Sequence, residues 1–237
     1  MRSSIIRVSA ALAAILFSSA SFAVPTLQLD CDGCVYDTIN EDVFYSGTST
    51  DVYALLTTSD SDYLTATYSL TFAVLGASAN YDGSDFGSFS LAGTSYGFSD
   101  LVWGTPADVD GTELPSHGIF DAWYATVEFS FDASNKATTY NVEDNPGSFS
   151  ADASGGSYYE MFSLDTTNLN EAYGLHFDLF CYEGVTDDEG CTARSLLKAP
   201  FSHDLTATTT VPEPPAVILL GVGLLGLGIL RSRQKKA

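Results

Sequence analysis

The chain has 237 residues, of which 30 are acidic and nine basic, and its formal net charge at pH 7 is −21. Such an acidic chain repels phosphate backbones and anionic lipid surfaces, which argues against nucleic-acid binding and against peripheral docking on membranes. Cations and neutral polymers remain as partners, although acidity also serves simply to keep an exported protein soluble.

The first 23 residues have the layout of a secretory signal peptide. Two arginines precede an apolar run over residues 8–17, and the small residues Ser21 and Ala23 occupy the positions that signal peptidase reads. The run is short for an uncleaved membrane anchor. We therefore predict a signal peptide over residues 1–23 and a mature chain that begins at Val24.

The body that follows is long enough for one domain with its own core, and we predict that domain over residues 24–206, with a linker over residues 207–211. Most basic residues lie in the terminal segments. Between Val24 and Thr210 the chain therefore keeps three basic and 29 acidic residues, a net charge of −26.

The body contains four cysteines, and an even number in an exported chain indicates two disulfides. Of the three possible connectivities we favour local pairing, Cys31 with Cys34 across an Asp-Gly turn and Cys181 with Cys191 across a polar loop. The alternatives are a redox Cys-x-x-Cys motif, which lacks its βαβ context, and a zinc site, for which the second spacing is wrong.

Alternating apolar and polar residues predict strands along most of the body. The clearest case is "FDAWYATVEFSFD", where every second residue from Trp123 to Phe131 is apolar. The same alternation marks residues 63–75 and 173–184, and shorter strands are predicted at 26–30, 43–47, 51–57, 88–93, 136–142, 158–164 and 204–210. Residues 192–199 are the one short helix candidate. These patterns predict an all-β fold, an antiparallel β-sandwich of the jelly-roll type.

Two catalytic-looking patterns do not fit their templates. "GTSYG" matches the nucleophile-elbow form at Gly93, Ser95 and Gly97, but no helix follows it, so we predict a loop between strands. "GVGLLG" near the C-terminus resembles a dinucleotide-binding fingerprint, yet no strand precedes it and too few residues follow.

Acidic loops offer hard oxygen ligands of the kind that suits calcium. In "DVDGTE", Asp108, Asp110 and Glu113 come together, and we predict a candidate calcium site there, although the segment departs from the EF-hand template. "DGSDFG" and "TDDEG" are further acidic loops. The alternative is that all these carboxylates are solvated turn residues, and no other cofactor is expected.

Histidines and aromatic residues give weaker signals. His117, His176 and His203 are isolated in sequence without metal-ligand spacing, so we predict ordinary hydrogen-bonding roles for them. Tyr96, Trp103 and Trp123 are suited to stacking on sugars. Trp123, however, lies on the apolar face of a predicted strand, which favours a core position.

The chain ends in "VPEPPAVILLGVGLLGLGILRSRQKKA". The prolines delay a helix to residues 216–230, which would span about 22 Å against a hydrocarbon core of about 30 Å. We predict a weak transmembrane anchor within residues 212–237, held with its basic end on the cytoplasmic side. The residues that fix this topology are Arg231, Arg233, Lys235 and Lys236.

Val211, Pro212, Glu213 and Pro214, followed by the short apolar helix and the basic end, resemble the PEP-CTERM sorting signal. The resemblance implies recognition by an exosortase, a membrane transpeptidase of Gram-negative bacteria that cuts near the Pro-Glu-Pro motif. Such substrates reach the cell surface or the exterior and are often associated with exopolysaccharide and biofilm. The body, through "LPSHGIF", "LHFDLF" and "SLLKAPFSHD", is also similar to the choice-of-anchor N group of bacterial surface proteins.

We therefore predict an exported, non-catalytic surface or matrix protein that acts by interaction, with polysaccharide and calcium as the expected partners. Before processing it would contact the membrane through its C-terminal helix. The alternative is a secreted hydrolase or lyase that uses paired carboxylates on a glycan.

Overall fold

A computed structural model of the chain describes residues 26–59, 61–106, 118–181, 197–200 and 203–209. Two β-sheets pack face to face, and aromatic side chains cross the interface between them. Phe72 meets Phe89, and Phe129 meets Phe162, each pair with ring centroids 5.1 Å apart in edge-on contact. The predicted all-β sandwich is therefore confirmed.

Over the described residues one sheet has six strands, four from the first half of the body and two from the second. Its path is β1-β4-β11-β6-β7, and β10 pairs with β11 beside it. The strands are β1 (Leu27–Cys31), β4 (Ser49–Thr57), β6 (Ser88–Leu91), β7 (Thr94–Gly97), β10 (Lys136–Ala137) and β11 (Ser157–Asp165).

The other sheet, as far as the described residues show it, has seven strands in the order β2-β3-β13-β12-β5-β9-β8. One pairing in it is parallel, because β13 follows β3 in the same direction with Leu205 beside Val43. The sheet is thus mixed, where the sequence predicted antiparallel pairing throughout. Its strands are β2 (Val35–Asp37), β3 (Asp42–Ser46), β5 (Tyr68–Leu75), β8 (Val102–Gly104), β9 (Ala122–Phe129), β12 (Gly174–Cys181) and β13 (Leu205–Thr208).

Several predicted boundaries were wrong for local reasons. The strand predicted over residues 63–75 begins only at Tyr68, because Asp62–Thr65 form a single helical turn before it. The strand predicted over residues 136–142 is reduced to β10. In the helix candidate at 192–199, residues 192–196 lie outside the described residues, and Lys198 instead forms a β-bridge with Phe180.

The "GTSYG" segment is part of a hairpin. Thr94–Gly97 form β7, which pairs with β6, so Ser95 lies in a strand and the prediction of a loop was wrong there. The turn consists of Ala92 and Gly93, both with positive φ (51° and 78°), as the tight turns that match strand twist require. Ser95 is exposed on a hairpin, which is not the strained strand-to-helix turn of a nucleophile elbow.

The outer face of the six-stranded sheet is covered by the segment over residues 138–150. Gln28 holds it at two points, donating to the Tyr140 carbonyl at 3.0 Å and accepting from the Val142 N–H at 2.9 Å. Asp30 holds it at two more, accepting from the Tyr140 hydroxyl at 2.5 Å and from the Gly147 N–H at 2.7 Å. The buried polar side chains of β1 thus attach this segment to the sheet.

The central strands of the seven-stranded sheet are buried on both faces. Every residue of β12 is buried, and so are the polar residues Ser69 and Thr71 of β5. Thr71 is satisfied by a hydroxyl contact of 2.8 Å with Thr126 on the next strand. Alternation in sequence predicts that one face of such a strand is exposed to solvent. The outer face of β12 is buried instead, so its polar side chains are shielded from water.

Among the described residues no helix is long and apolar enough to span a bilayer. The predicted signal peptide at 1–23, residues 210–211 of the predicted linker at 207–211 and the predicted helix at 216–230 lie outside those residues, and they stay predictions.

Candidate functional site

Three aspartates lie next to each other on the outer face of the seven-stranded sheet. His176 on β12 pairs with Thr206 on β13, so Asp178 and Asp204 occupy the next outward positions of the same antiparallel register. Asp204 in turn adjoins Asp42, because Leu205 pairs with Val43 and the Val43 N–H donates to the Asp204 carbonyl at 3.0 Å. We call Asp42, Asp204 and Asp178 the aspartate row.

His176 stands beside this row and is 1% exposed. Its Nδ1 contacts the Thr206 hydroxyl at 2.9 Å, while its Nε2 lies 3.7 Å from Asp178 Oδ1. The two ring nitrogens therefore face different groups. A cavity of about 280 Å³ opens beside the ring and is lined by Asp42 and Thr206 as well.

Burial controls the electrostatics of the aspartate row. Asp42, Asp178 and Asp204 are 5%, 1% and 3% exposed. Loss of hydration raises the pKa of Asp204 well above its usual range, and repulsion from Asp178 and Asp42 raises it further. Burial likewise raises the pKa of Asp42, against the lowering effect of a hydrogen bond from Thr206.

The row and the histidine form a set of potential metal ligands. One donor atom each from His176, Asp178 and Asp204 fall within 4.8 Å of one another, and all three residues are buried. A neutral imidazole nitrogen with carboxylate oxygens is a donor set that binds divalent first-row transition ions.

A second polar site lies on the surface, where segments from both sheets meet. A groove of about 470 Å³ is lined by side chains that carry carboxylate, amide and hydroxyl groups, with Asp85, Asn168, Asn170 and Glu171 among them. Asp85 accepts hydrogen bonds from the phenol groups of Tyr81 and of Tyr173, the latter at 2.9 Å. These bonds lower the pKa of Asp85, so the groove carries a fixed negative charge at neutral pH.

A run of aromatic rings extends from this groove across the surface of the sandwich. Tyr81 contacts Tyr173 at 5.2 Å and Phe98 at 4.9 Å between ring centroids. Phe98 contacts Trp123 at 4.5 Å, and Trp123 contacts Trp103 at 5.7 Å. Trp103 ends the run and is 39% exposed.

The structure bears on only some of the residues predicted from the sequence. The Cys31–Cys34 disulfide is confirmed. Asp108, Asp110 and Glu113, the predicted calcium ligands, lie outside the described residues, as does Cys191, the predicted partner of Cys181. The sorting residues 211–214 and the four basic residues near the C-terminus also lie outside them.

Two of the histidines and both tryptophans lie within the described residues. Trp123 is half-buried against the core, as predicted, and its Nε1–H donates to the Ser78 carbonyl at 2.9 Å. His203 is buried, and its Nε2 lies 2.7 Å from Asn141 Oδ1. His176 is also buried, but the sequence did not lead us to predict that it lies beside two aspartates. The spacing H-x-D on a predicted strand could have indicated one of them, because residues two apart share a face.

Comparison with known proteins identifies one motif. Residues 210–234 match the family model of the PEP-CTERM protein-sorting motif. The predicted sorting signal is thereby confirmed, and it marks the chain as an exosortase-sorted protein that is exported to the cell envelope or surface of a Gram-negative bacterium. A search of curated proteins found no matching relative.

Two solved structures resemble the chain at low similarity. One is ACE19, the collagen-binding subdomain of the Enterococcus faecalis surface protein ACE, at 9% identity and a TM-score of 0.25, covering 79% of this chain and 99% of that chain. The other is AvmM, which catalyses macrocyclisation in alchivemycin A biosynthesis, at 10% identity and a TM-score of 0.29, covering 80% of this chain and 92% of that chain.

Proposed function

We propose that this exosortase-sorted protein acts outside the cell by binding neutral polysaccharide through the groove at Asp85, without catalysing a reaction on it. The observation that carries the proposal is the combination of the groove with the aromatic run that ends at Trp103. Sugar rings offer apolar faces to aromatic side chains and hydroxyl groups to carboxylates and amides. The groove and the run supply both kinds of contact over one continuous surface.

Charge supports a neutral ligand. The body carries a net charge of −26, and the groove contains the acidic residues Asp85 and Glu171. An anionic polymer would be repelled, unless calcium bridged it to these carboxylates. A polymer of uncharged sugars meets no such barrier.

A glycan array probed with the full chain in detergent, with and without added calcium, tests the proposal. We expect binding to neutral glycans in both conditions. Asp85→Asn and Trp103→Ala should each weaken it roughly tenfold or more, since a charged hydrogen bond or an aromatic contact contributes about 1–3 kcal/mol. Asp82→Asn is the matched control, because Asp82 lies in the same loop and accepts a hydrogen bond from the nearby Ser84 N–H.

Binding only when calcium is present would replace the neutral ligand by an anionic one. Absence of binding in both conditions, or equal binding by the three variants, would contradict a ligand site at the groove.

We also propose that the C-terminal segment is a temporary anchor that is removed near Pro212–Pro214, leaving the acidic body outside the membrane. Intact mass of the protein recovered from the cell surface or the medium tests this. The expected mass lacks residues 1–23 and the basic end at 231–237. A surface form that retains Arg231–Ala237 would contradict removal of the anchor.

A glycan-active hydrolase or lyase is the second candidate, because Asp85 and Glu171 line one groove. Such enzymes need a carboxylic acid whose pKa is raised by an apolar setting. The Tyr81 and Tyr173 hydroxyls lower the pKa of Asp85 instead, and Glu171 is exposed to solvent. Release of reducing ends from any bound glycan, abolished by Asp85→Asn, would favour the enzyme.

A further inference from the structure

We propose that His176, Asp178 and Asp204 bind one divalent transition-metal ion, with Zn²⁺ as the best match, on the outer face of the seven-stranded sheet. This site is separate from the surface groove and does not depend on polysaccharide binding. The ion would join β12 to β13, which are neighbours in the sheet but are separated by a long segment of the chain.

Strand register places the three ligands with little freedom. His176 and Asp178 are two residues apart on β12, so their side chains share the outer face. Asp204 immediately precedes β13 and continues the register that pairs His176 with Thr206. Because both strands are central in the sheet and buried on both faces, the positions of the three donors are held by the backbone.

A hydrogen-bonded relay fixes the orientation of the imidazole. The Thr206 hydroxyl hydrogen-bonds to the Asp42 carboxylate and contacts His176 Nδ1 at 2.9 Å. A hydroxyl has one proton, and an ionised carboxylate only accepts. With Asp42 ionised, Thr206 donates to Asp42 and accepts from the His176 Nδ1–H, which puts the lone pair on Nε2. Metal-binding histidines are commonly held by such a bond from the second ring nitrogen.

The lone pair on Nε2 faces the aspartate row, since Nε2 lies 3.7 Å from Asp178 Oδ1. Zinc bonds to imidazole nitrogen and carboxylate oxygen measure about 2.0–2.2 Å, and in a tetrahedral site two ligand atoms are therefore about 3.4 Å apart. The three donors here lie within 4.8 Å of one another. Side-chain rotations that move each donor by about 0.7 Å would bring them to the distance that the ion requires.

The charge of the row favours a cation. Carboxylates directly opposite each other on neighbouring strands destabilise a sheet. Here the three carboxylates lie side by side across the sheet: Asp42 on β3, Asp204 just before β13, and Asp178 on β12. Asp42 Oδ1 is buried and has no hydrogen-bond partner among the described residues. Of the two basic residues in the described part of the chain, Lys136 contacts Tyr158 on the other sheet, while Lys198 is exposed and its charge partly offsets the raised pKa of Asp204.

The donor set selects the type of ion. Calcium takes six to eight oxygen ligands at about 2.3–2.6 Å and is poorly served by an imidazole and two carboxylates. Zinc takes four ligands and accepts nitrogen and carboxylate oxygen together. A water molecule would be the fourth ligand of the zinc ion.

Metal titration of the EDTA-treated full chain in detergent tests the site. We expect one equivalent of Zn²⁺ with a higher unfolding temperature, and a Co²⁺ absorption spectrum typical of mixed nitrogen and oxygen ligands. Asp178→Asn and Asp204→Asn should weaken Zn²⁺ binding at least a hundredfold. Thr206→Val, which removes only the positioning hydroxyl, should weaken it about 10- to 100-fold. Asp165→Asn, an exposed carboxylate on the other sheet, is the control.

The ¹⁵N resonances of the His176 ring in the wild-type chain give a readout that needs no variant. On addition of Zn²⁺ the Nε2 signal should shift strongly while Nδ1 keeps the shift of a protonated nitrogen. An unchanged Nε2 signal, equal Zn²⁺ affinity of Asp204→Asn and Asp165→Asn, or a response to Ca²⁺ but not Zn²⁺ would each overturn the proposal.

Discussion

Both sheets bury aspartates on their outer faces, but the two faces treat them differently. On the six-stranded sheet, Asp30 is fully buried and accepts hydrogen bonds from the Cys31 N–H, the Gly147 N–H and the Tyr140 hydroxyl. Burial still raises the pKa of Asp30, yet these bonds offset part of that effect. The carboxylate thereby fastens the segment over residues 138–150 to β1.

On the seven-stranded sheet, the aspartate row brings three carboxylates together, and a buried oxygen of Asp42 has no hydrogen-bond partner in the part of the chain that the structure describes. Burial raises the pKa of Asp204, and repulsion from Asp178 and Asp42 raises it further. The comparison teaches that burial of a carboxylate has two outcomes. Surrounded by N–H and O–H donors it stabilises a fold, whereas beside other carboxylates it creates a demand for protons or for a cation.

Replacement of Asp30 should produce the largest loss of stability. Asp30→Ala leaves the buried N–H of Cys31 and the N–H of Gly147 without this acceptor, and we expect the free energy of unfolding to fall by about 3–5 kcal/mol. Tyr140→Phe removes one donor and leaves the carboxylate in place, so it should cost about 1–2 kcal/mol. Urea denaturation measures both. Equal effects of the two substitutions would mean that Asp30 is held mainly by Tyr140.

Removal of the Cys31–Cys34 disulfide should have a smaller effect at the same place. The loop it closes is short, with a sequence separation of three, so the entropy model predicts a loss of about 2 kcal/mol for Cys31→Ser with Cys34→Ser. Comparison of the denaturation midpoints of the wild-type chain and of this double variant, both without reductant, checks this value. A loss larger than that of Asp30→Ala would reverse the order that we expect.

The pH dependence of stability should show the contribution of His203, which links the two regions. His203 precedes Asp204, and its Nε2–H donates to Asn141 in the segment that Asp30 fastens. Burial lowers its pKa to about 4, against about 6.5 in the unfolded chain. Its contribution is therefore complete above pH 6.5 and is lost as the pH falls to about 4, and we expect about 1–2 kcal/mol.

His203→Gln is the control for this pH dependence, because glutamine keeps an amide donor and does not titrate. The difference in unfolding free energy between the two proteins should change between pH 6.5 and pH 4 and stay constant above. A constant difference over the whole range would mean that folding does not lower the pKa of His203.

The fold was largely predictable from the sequence, whereas the two candidate sites were only partly so. Alternation of apolar residues identified β9 and β12 because side chains two apart share a face, and that rule is local. The strand predicted from residue 63 failed at Leu64, which joins a helical turn despite its apolar character. Local patterns do not encode such tertiary preferences.

Long-range pairing explains what was missed at the sites. His176 and Asp178 are neighbours on one strand, but Asp204 joins them only through the register of β13, and Asp42 only through the parallel pairing of β13 with β3. The groove similarly combines Asp85 with Asn168 from a distant part of the chain. Register depends on the packing of the whole sheet, so single-sequence patterns did not indicate it.

The smallest expected effect gives the sharpest contrast between the two faces. Asp42→Asn keeps a carbonyl oxygen for the Thr206 hydroxyl and removes one charge from the aspartate row. In the metal-free protein we expect unfolding free energy to stay unchanged or to rise by up to about 1 kcal/mol. Asp30→Asn, the matched substitution on the other sheet, should lower it, because an amide NH₂ replaces an oxygen that accepts hydrogen bonds.

Thermal denaturation of both variants after EDTA treatment measures this contrast. If Asp42→Asn destabilises the chain as much as Asp30→Asn does, the carboxylate of Asp42 is stabilised in its ionised form, and the aspartate row is not a region of unfavourable charge. If the two variants differ in sign, buried carboxylates of similar exposure have opposite effects on stability. The arrangement of the groups around each one then decides the effect, since burial alone is common to both.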